Sequence, residues 1–151
     1  YQHTPLAECE IDGHQPDYDF AKADVVFTIG SDCLYRHPAA LRYSRAIARR
    51  RRVENGRVRM NRFYALESTP TVTGMLADFR LPASPARTRA VLDVLAQAIT
   101  HDMPPRADGL SPAESQFVTA LAADLRLHAP AVVCVAGPEE DADIQHWALV
   151  S

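Results

Sequence analysis

Two short runs constrain this chain more than any other feature: ADVVFTI at 23–29 and AVVCVA at 131–136. Both are almost continuously apolar and rich in β-branched residues. An alternating strand leaves one face to water, but a run of this kind is buried on both faces. Burial on both faces calls for a sheet with a helical layer on each side, and that means parallel strands joined by crossovers. The segments between the runs supply those helices.

Gly30-Ser31-Asp32 ends the first run, and a helix is predicted from His37-Pro38 to about Arg51. Pro38 suits the first helical position, and Leu41, Ile47 and Ala48 form the apolar stripe. Glu54-Asn55-Gly56 is a turn signal. Arg62–Glu67 (RFYALE) reads as a second strand, followed by the polar loop Ser68-Thr69-Pro70-Thr71, a helical turn near Gly74–Leu76 and a brief strand at Asp78–Leu81. A helix opening at Ser84-Pro85 carries Val91, Leu92, Leu95 and Ile99 on one face. His101 to Gly109 reads as a Pro-containing linker. Ser111-Pro112-Ala113-Glu114 is a capping box with proline at the first helical position, starting a helix to about His128. After the second apolar run, Gly137-Pro138 turns the chain. Glu139 to Asp143 then place negative charge on the first turn of a last helix. The expected fold is α/β and Rossmann-like, a mostly parallel sheet with helices on both faces. Residues 1–19 form an irregular lead-in, and 20–151 form the domain.

Composition narrows the function classes. Hydrophobic residues make up 47% of the 151 and charged residues 23%, the globular range. A net charge of −3 gives the whole chain no pull toward nucleic acid or acidic lipid. No apolar run approaches bilayer length. The chain opens at Tyr1 without Met and closes inside a helix-like segment, so it reads as a piece of a longer protein. Cys9, Cys33 and Cys134 have no metal-ligand spacing, and the last two read as small buried apolar residues.

In an open α/β sheet ligands bind beyond the carboxyl ends of the strands, which selects three loops. Gly30 permits close backbone approach and Ser31 offers a donor, whereas Asp32 is itself an anion and opposes a phosphate. The other reading of that loop is a plain strand-to-helix turn. Glu67 is placed to accept from a ribose or purine edge, with Ser68 and Thr69 beside it; a self-bonded polar loop is the alternative. The acidic loop 139–143 suits helix capping and not phosphate. The histidines never fall at metal-ligand spacing; His37 sits at the front of the first helix and His128 at the end of another. Arginines crowd the span from Arg36 to Arg62, where Glu54 is the sole carboxylate, so one basic face is expected there. A solvated helix end and an anion or nucleic-acid contact are both open.

Taken together, the motifs carry a resemblance. KADVVFTIGSDCLYRHPAALRYSRAIARRRR resembles the segment of molybdopterin oxidoreductases that runs strand, G-S-N, H-P and helix. RFYALESTPTVTGMLADFRLPASPARTRAVLDVLAQAI looks like their next unit, and FVTALAADLRLHAPAVVCVAGPEEDADIQHWAL continues the pattern. The combination is most similar to the twin-arginine-variant branch, the large iron–sulfur subunit of alternative complex III. The resemblance implies a Rossmann-like domain of a large redox subunit, in which Gly30, Ser31, Asp32, His37, Glu67, Ser68 and Thr69 match the loops that hold a molybdopterin guanine dinucleotide. Three departures weaken that site. The family's Asn is Asp32, its D-P-R is Glu67-Ser68-Thr69, and its R-P-G-T-D is Ala83-Ser84-Pro85-Ala86-Arg87. The resemblance therefore implies a structural and partner-docking domain without bound molybdenum cofactor and without catalysis of its own. The implied partners are other domains of the parent chain and subunits of a respiratory complex. Contact with the membrane would come only through those subunits, at the periplasmic face, and no nucleic acid is involved. The alternative it leaves open is a catalytic subunit whose domain binds the dinucleotide.

Overall fold

The computed structural model describes residues 17–53, 56, 60–101 and 109–150; of residues 101, 146, 147, 149 and 150 only the backbone is described. The expected lead-in up to residue 16, the 54–55 half of the predicted turn, Cys9 and most of the 101–109 linker lie outside the described residues.

Among the described residues four strands and five helices follow one another in the predicted order: β1 Val25–Ile29, α1 Ala40–Arg50, β2 Arg62–Glu67, α2 Val72–Met75, β3 Phe79–Pro82, α3 Pro85–His101, α4 Pro112–His128, β4 Val132–Ala136 and α5 Ala142–Val150. The sheet is entirely parallel with order β3-β2-β1-β4. The two apolar runs are direct neighbours, with Phe27 opposite Cys134 on one side and Tyr64 on the other. This is the α/β Rossmann-like architecture that continuous apolar strands demand.

Alternation along β1 sorts the core into two layers. Val25, Phe27 and Ile29 face α3, α4 and α5, joining Tyr64, Leu66, Val91, Leu95, Val118 and Leu121. Val26 points the other way, with Phe63 and Val135 toward Phe20, Leu34, Tyr43 and Ile47. Cys33 and Cys134 are buried within these layers, and burial pushes the Cys134 thiol up to about 12. Ser111 and Glu114 close the reciprocal capping box at the start of α4.

The first helix departs from its sequence reading. It begins at Ala40, because Pro38 stays in the preceding turn, where the Ala39 N–H donates to His37 Nδ1 at 3.0 Å. Its buried stripe is Tyr43 and Ile47, whereas Leu41 is 85% exposed and Ala48 is also exposed. Tyr43 wins the inner face because its ring packs 4.7 Å from Phe20 and 4.9 Å from His37. The short α2 starts at Val72, two residues before the predicted turn, because Thr71 Oγ1 accepts from the Gly74 N–H.

Basic residues are less isolated than the sequence implies. Arg42 pairs with Asp17, Arg50 with Asp24, Arg51 with Asp78, and Arg62 with both oxygens of Asp124. These carboxylates are remote in sequence, so the fold neutralises four arginines of the apparent face whose sole local acid is Glu54. Asp124 also accepts from Tyr64 Oη at 2.5 Å, joining β2 to α4 at the amino end of the sheet.

Candidate functional site: the crevice at the carboxyl end of the sheet

From β1 the chain first moves outward through β2 and β3. It then crosses back over α3 and α4 to reach β4 on the other side of β1. The direction of winding therefore reverses between β1 and β4, and the crevice beyond their carboxyl ends is the ligand position in folds of this kind. Gly30 and Gly137 line it, one after each strand.

Both glycines are there for steric reasons. Gly30 has φ +58°, and the Gly137 N–H donates to Ile29 O at 2.7 Å. A methyl on Gly137 would overlap the Gly30 carbonyl oxygen, so the two loops touch backbone to backbone. A methyl on Gly30 would overlap Glu140 Oε1: the space over Gly30 is taken by this chain's own carboxylate. Gln145 of α5 holds the Glu140 loop by donating through Nε2 to Glu140 O at 2.9 Å, with Gly137 O and Pro138 O each at 3.4 Å. Burial, reinforced by Asp141 and then Glu139, raises the Glu140 carboxyl above the usual carboxylate range.

Asp32 and Glu67 are turned to α2. Leu34 N–H donates to Thr73 Oγ1 at 3.0 Å, and Thr73 donates through both Oγ1 (2.8 Å) and N (2.9 Å) to Asp32 Oδ1. Asp32 thus receives a donor from the first turn of α2, as a carboxylate does at a helix start. Glu67 is 3% exposed. Its Oε1 accepts from Arg80 Nε at 2.5 Å and from Thr71 N at 3.4 Å, and its Oε2 accepts from Thr71 Oγ1 at 2.7 Å. Gly74 exists to leave room for it, since a methyl there would overlap the Glu67 carboxylate. A carboxylate committed to three donors within its own chain has little left for a ribose.

The remaining predicted residues scatter. Ser31 is buried in the first loop. His37 lies in the aromatic cluster of Tyr18 and Tyr43, and burial, then Arg42, holds its pKa below the usual histidine range. Ser68 and Thr69 are exposed beyond β2. His128 closes α4 with Nδ1 3.9 Å from Asp24 Oδ2. At the position of the third loop motif, Arg87 donates to Glu114 Oε1 at 2.8 Å, to Glu114 Oε2 at 2.5 Å and to Gly109 O at 2.9 Å.

Sequence reasoning missed Glu140, Arg80, Thr71, Thr73 and Gly74. One signal was present: Thr71 three residues before Gly74 is a short-helix N-cap spacing. Glu140 was visible as part of an acidic loop, but its reach across to Gly30 depends on β4 lying beside β1. Among the described residues no group of three or more His, Cys, Asp or Glu side chains is arranged to hold a metal ion, and no helix is long and apolar enough to cross a membrane. Comparison with known proteins finds no family model that matches this chain and no curated protein similar to it.

Proposed function

We propose that this chain is a structural α/β domain of a molybdopterin-oxidoreductase-like subunit, one that serves assembly and the docking of electron-transfer partners and does not hold the molybdenum cofactor. The observation that carries this reading is the carboxylate of Glu140 lying over Gly30. A diphosphate approaching that glycine must expel Glu140, and the nearby Asp32 adds a second negative charge to the same loop. Ground normally used for a ribose is also taken, because Glu67 is bound by Arg80 and Thr71. Arg87 stands where the family has its guanine-pairing Asp, and its guanidinium is committed to Glu114. The residues at the three loops therefore do not fit a guanine dinucleotide, and no catalytic step is assigned to them. A setting in a respiratory complex at the periplasmic face of the cytoplasmic membrane follows from the resemblance alone.

Titration calorimetry of the full-length protein with guanosine diphosphate tests the reading. The expected result is no binding up to millimolar nucleotide. Micromolar binding that weakens on Glu67→Gln substitution would overturn it in favour of a dinucleotide-binding catalytic subunit.

A further inference from the structure

Once Asp17, Asp24, Asp78 and Asp124 have taken their partners, the remaining arginines of α1 and its C-terminal turn form a distinct pattern. Arg45, Arg49 and Arg52 are exposed and make no ion pair among the described residues. Arg45 and Arg49 stand at i and i+4, on the face of α1 opposite the buried Tyr43 and Ile47. Arg52 follows the C-cap Arg51, and its N–H donates to Arg49 O at 3.3 Å. Together with Ala48, the three arginines line a notch of about 300 Å³. Leu41 and Val53, near the notch in sequence, are also exposed.

We propose that this outer face of α1 docks an acidic helical segment of a partner protein, with carboxylates at i, i+4 and i+7 entering the notch around Ala48. Guanidinium forks bind carboxylates in two-point fashion, and arginine is enriched at protein interfaces. The arginines gather at the C-terminal end of α1, where its dipole is negative, so an acidic helix laid antiparallel brings its own positive N-terminal end alongside. A membrane surface fits less well, because the apolar face α1 would need to insert is buried in the core. Nucleic acid fits less well too, because the chain carries a net charge of −3. This inference deepens the docking role and rests on that part of it; it does not depend on what the crevice holds.

The test uses the full-length protein and a fluorescein-labelled helical peptide with Glu at i, i+4 and i+7, read by anisotropy beside its Gln counterpart. The Glu peptide should bind, more weakly at high salt, and the Gln peptide should not. The triple change Arg45→Gln, Arg49→Gln, Arg52→Gln should weaken binding about tenfold or more. Ala48→Glu, which places a carboxylate in the notch, should do the same with an unchanged circular dichroism spectrum. Arg36→Gln, an exposed arginine off this face, should leave binding intact. Binding that survives the triple change overturns the proposal. So does tighter, arginine-dependent retention on phosphatidylglycerol vesicles or single-stranded DNA than on the peptide. Molybdenum or nucleotide in the same preparation would overturn the reading of the crevice and leave this docking face standing.

Discussion

The crevice beyond β1 and β4 and the outer face of α1 handle charge in opposite ways. In the crevice the carboxylates are turned inward: Glu67 onto Arg80 and Thr71, Asp32 onto Thr73, and Glu140 over Gly30. On α1 and the turn after it, Arg45, Arg49 and Arg52 are exposed with no ion-pair partner among the described residues. A buried polar group left unpaired costs about 1–3 kcal/mol, so Asp32 and Glu67, each satisfied within the chain, need no ligand. An exposed charge pays no such penalty and stays available. The fold fills the crevice at the carboxyl end of the sheet with its own carboxylates and leaves arginine charge exposed on its surface.

The sharpest way to break this contrast is to disturb the closed side. Gly137→Ala drives a methyl into the Gly30 carbonyl, a backbone contact that cannot swing aside, and is expected to cost about 3 kcal/mol in urea unfolding. Gly30→Ala should cost less, about 1–2 kcal/mol, because Glu140 is a side chain that can move and the main term is the φ of +58°. If the two are equal, the backbone contact between the loops is not what sets the crevice.

Acid stability separates the closed network from the open face. Arg87, with the Ser111 donors, holds the Glu114 carboxyl down at about 2. A carboxyl with a depressed native pKa stabilises the fold fully above its unfolded value of 4.5, and that contribution is lost as pH falls toward 2. Glu114→Gln should therefore flatten the loss of stability between about pH 5 and pH 2 and lower the melting temperature at neutral pH by a few degrees, on the order of 1 kcal/mol. An unchanged pH profile would mean that the Arg87–Glu114 pair contributes nothing. The smallest effect belongs to the outer face of α1: Leu41→Ala should stay within about 0.5 kcal/mol, whereas Ile47→Ala, on the buried face of the same helix, should cost about 2–4 kcal/mol.

That last pair shows what was legible in the sequence and what was not. The strands were legible because an apolar run such as VVFTI has only one use, and the capping box at Ser111 was legible because its chemistry is local. The face of α1 was not. Leu41 and Tyr43 are both candidates by periodicity, and the choice between them is made by Phe20 and His37, which are distant in sequence or outside the helix. The candidate loops were legible as loops, since each follows a strand. Their occupancy by Glu140, Arg80 and Thr73 was not, because each contact crosses between elements whose order in the sheet no periodicity records. The arginine-rich span failed for the same reason: its acidic partners Asp17, Asp24, Asp78 and Asp124 are scattered across more than a hundred residues.

We propose that the crevice, filled by the chain's own carboxylates, carries no molybdenum cofactor. Metal and pterin content of the purified full-length protein tests this most directly. The account predicts molybdenum, tungsten and pterin at background, far below one per chain. Stoichiometric metal with pterin would contradict it.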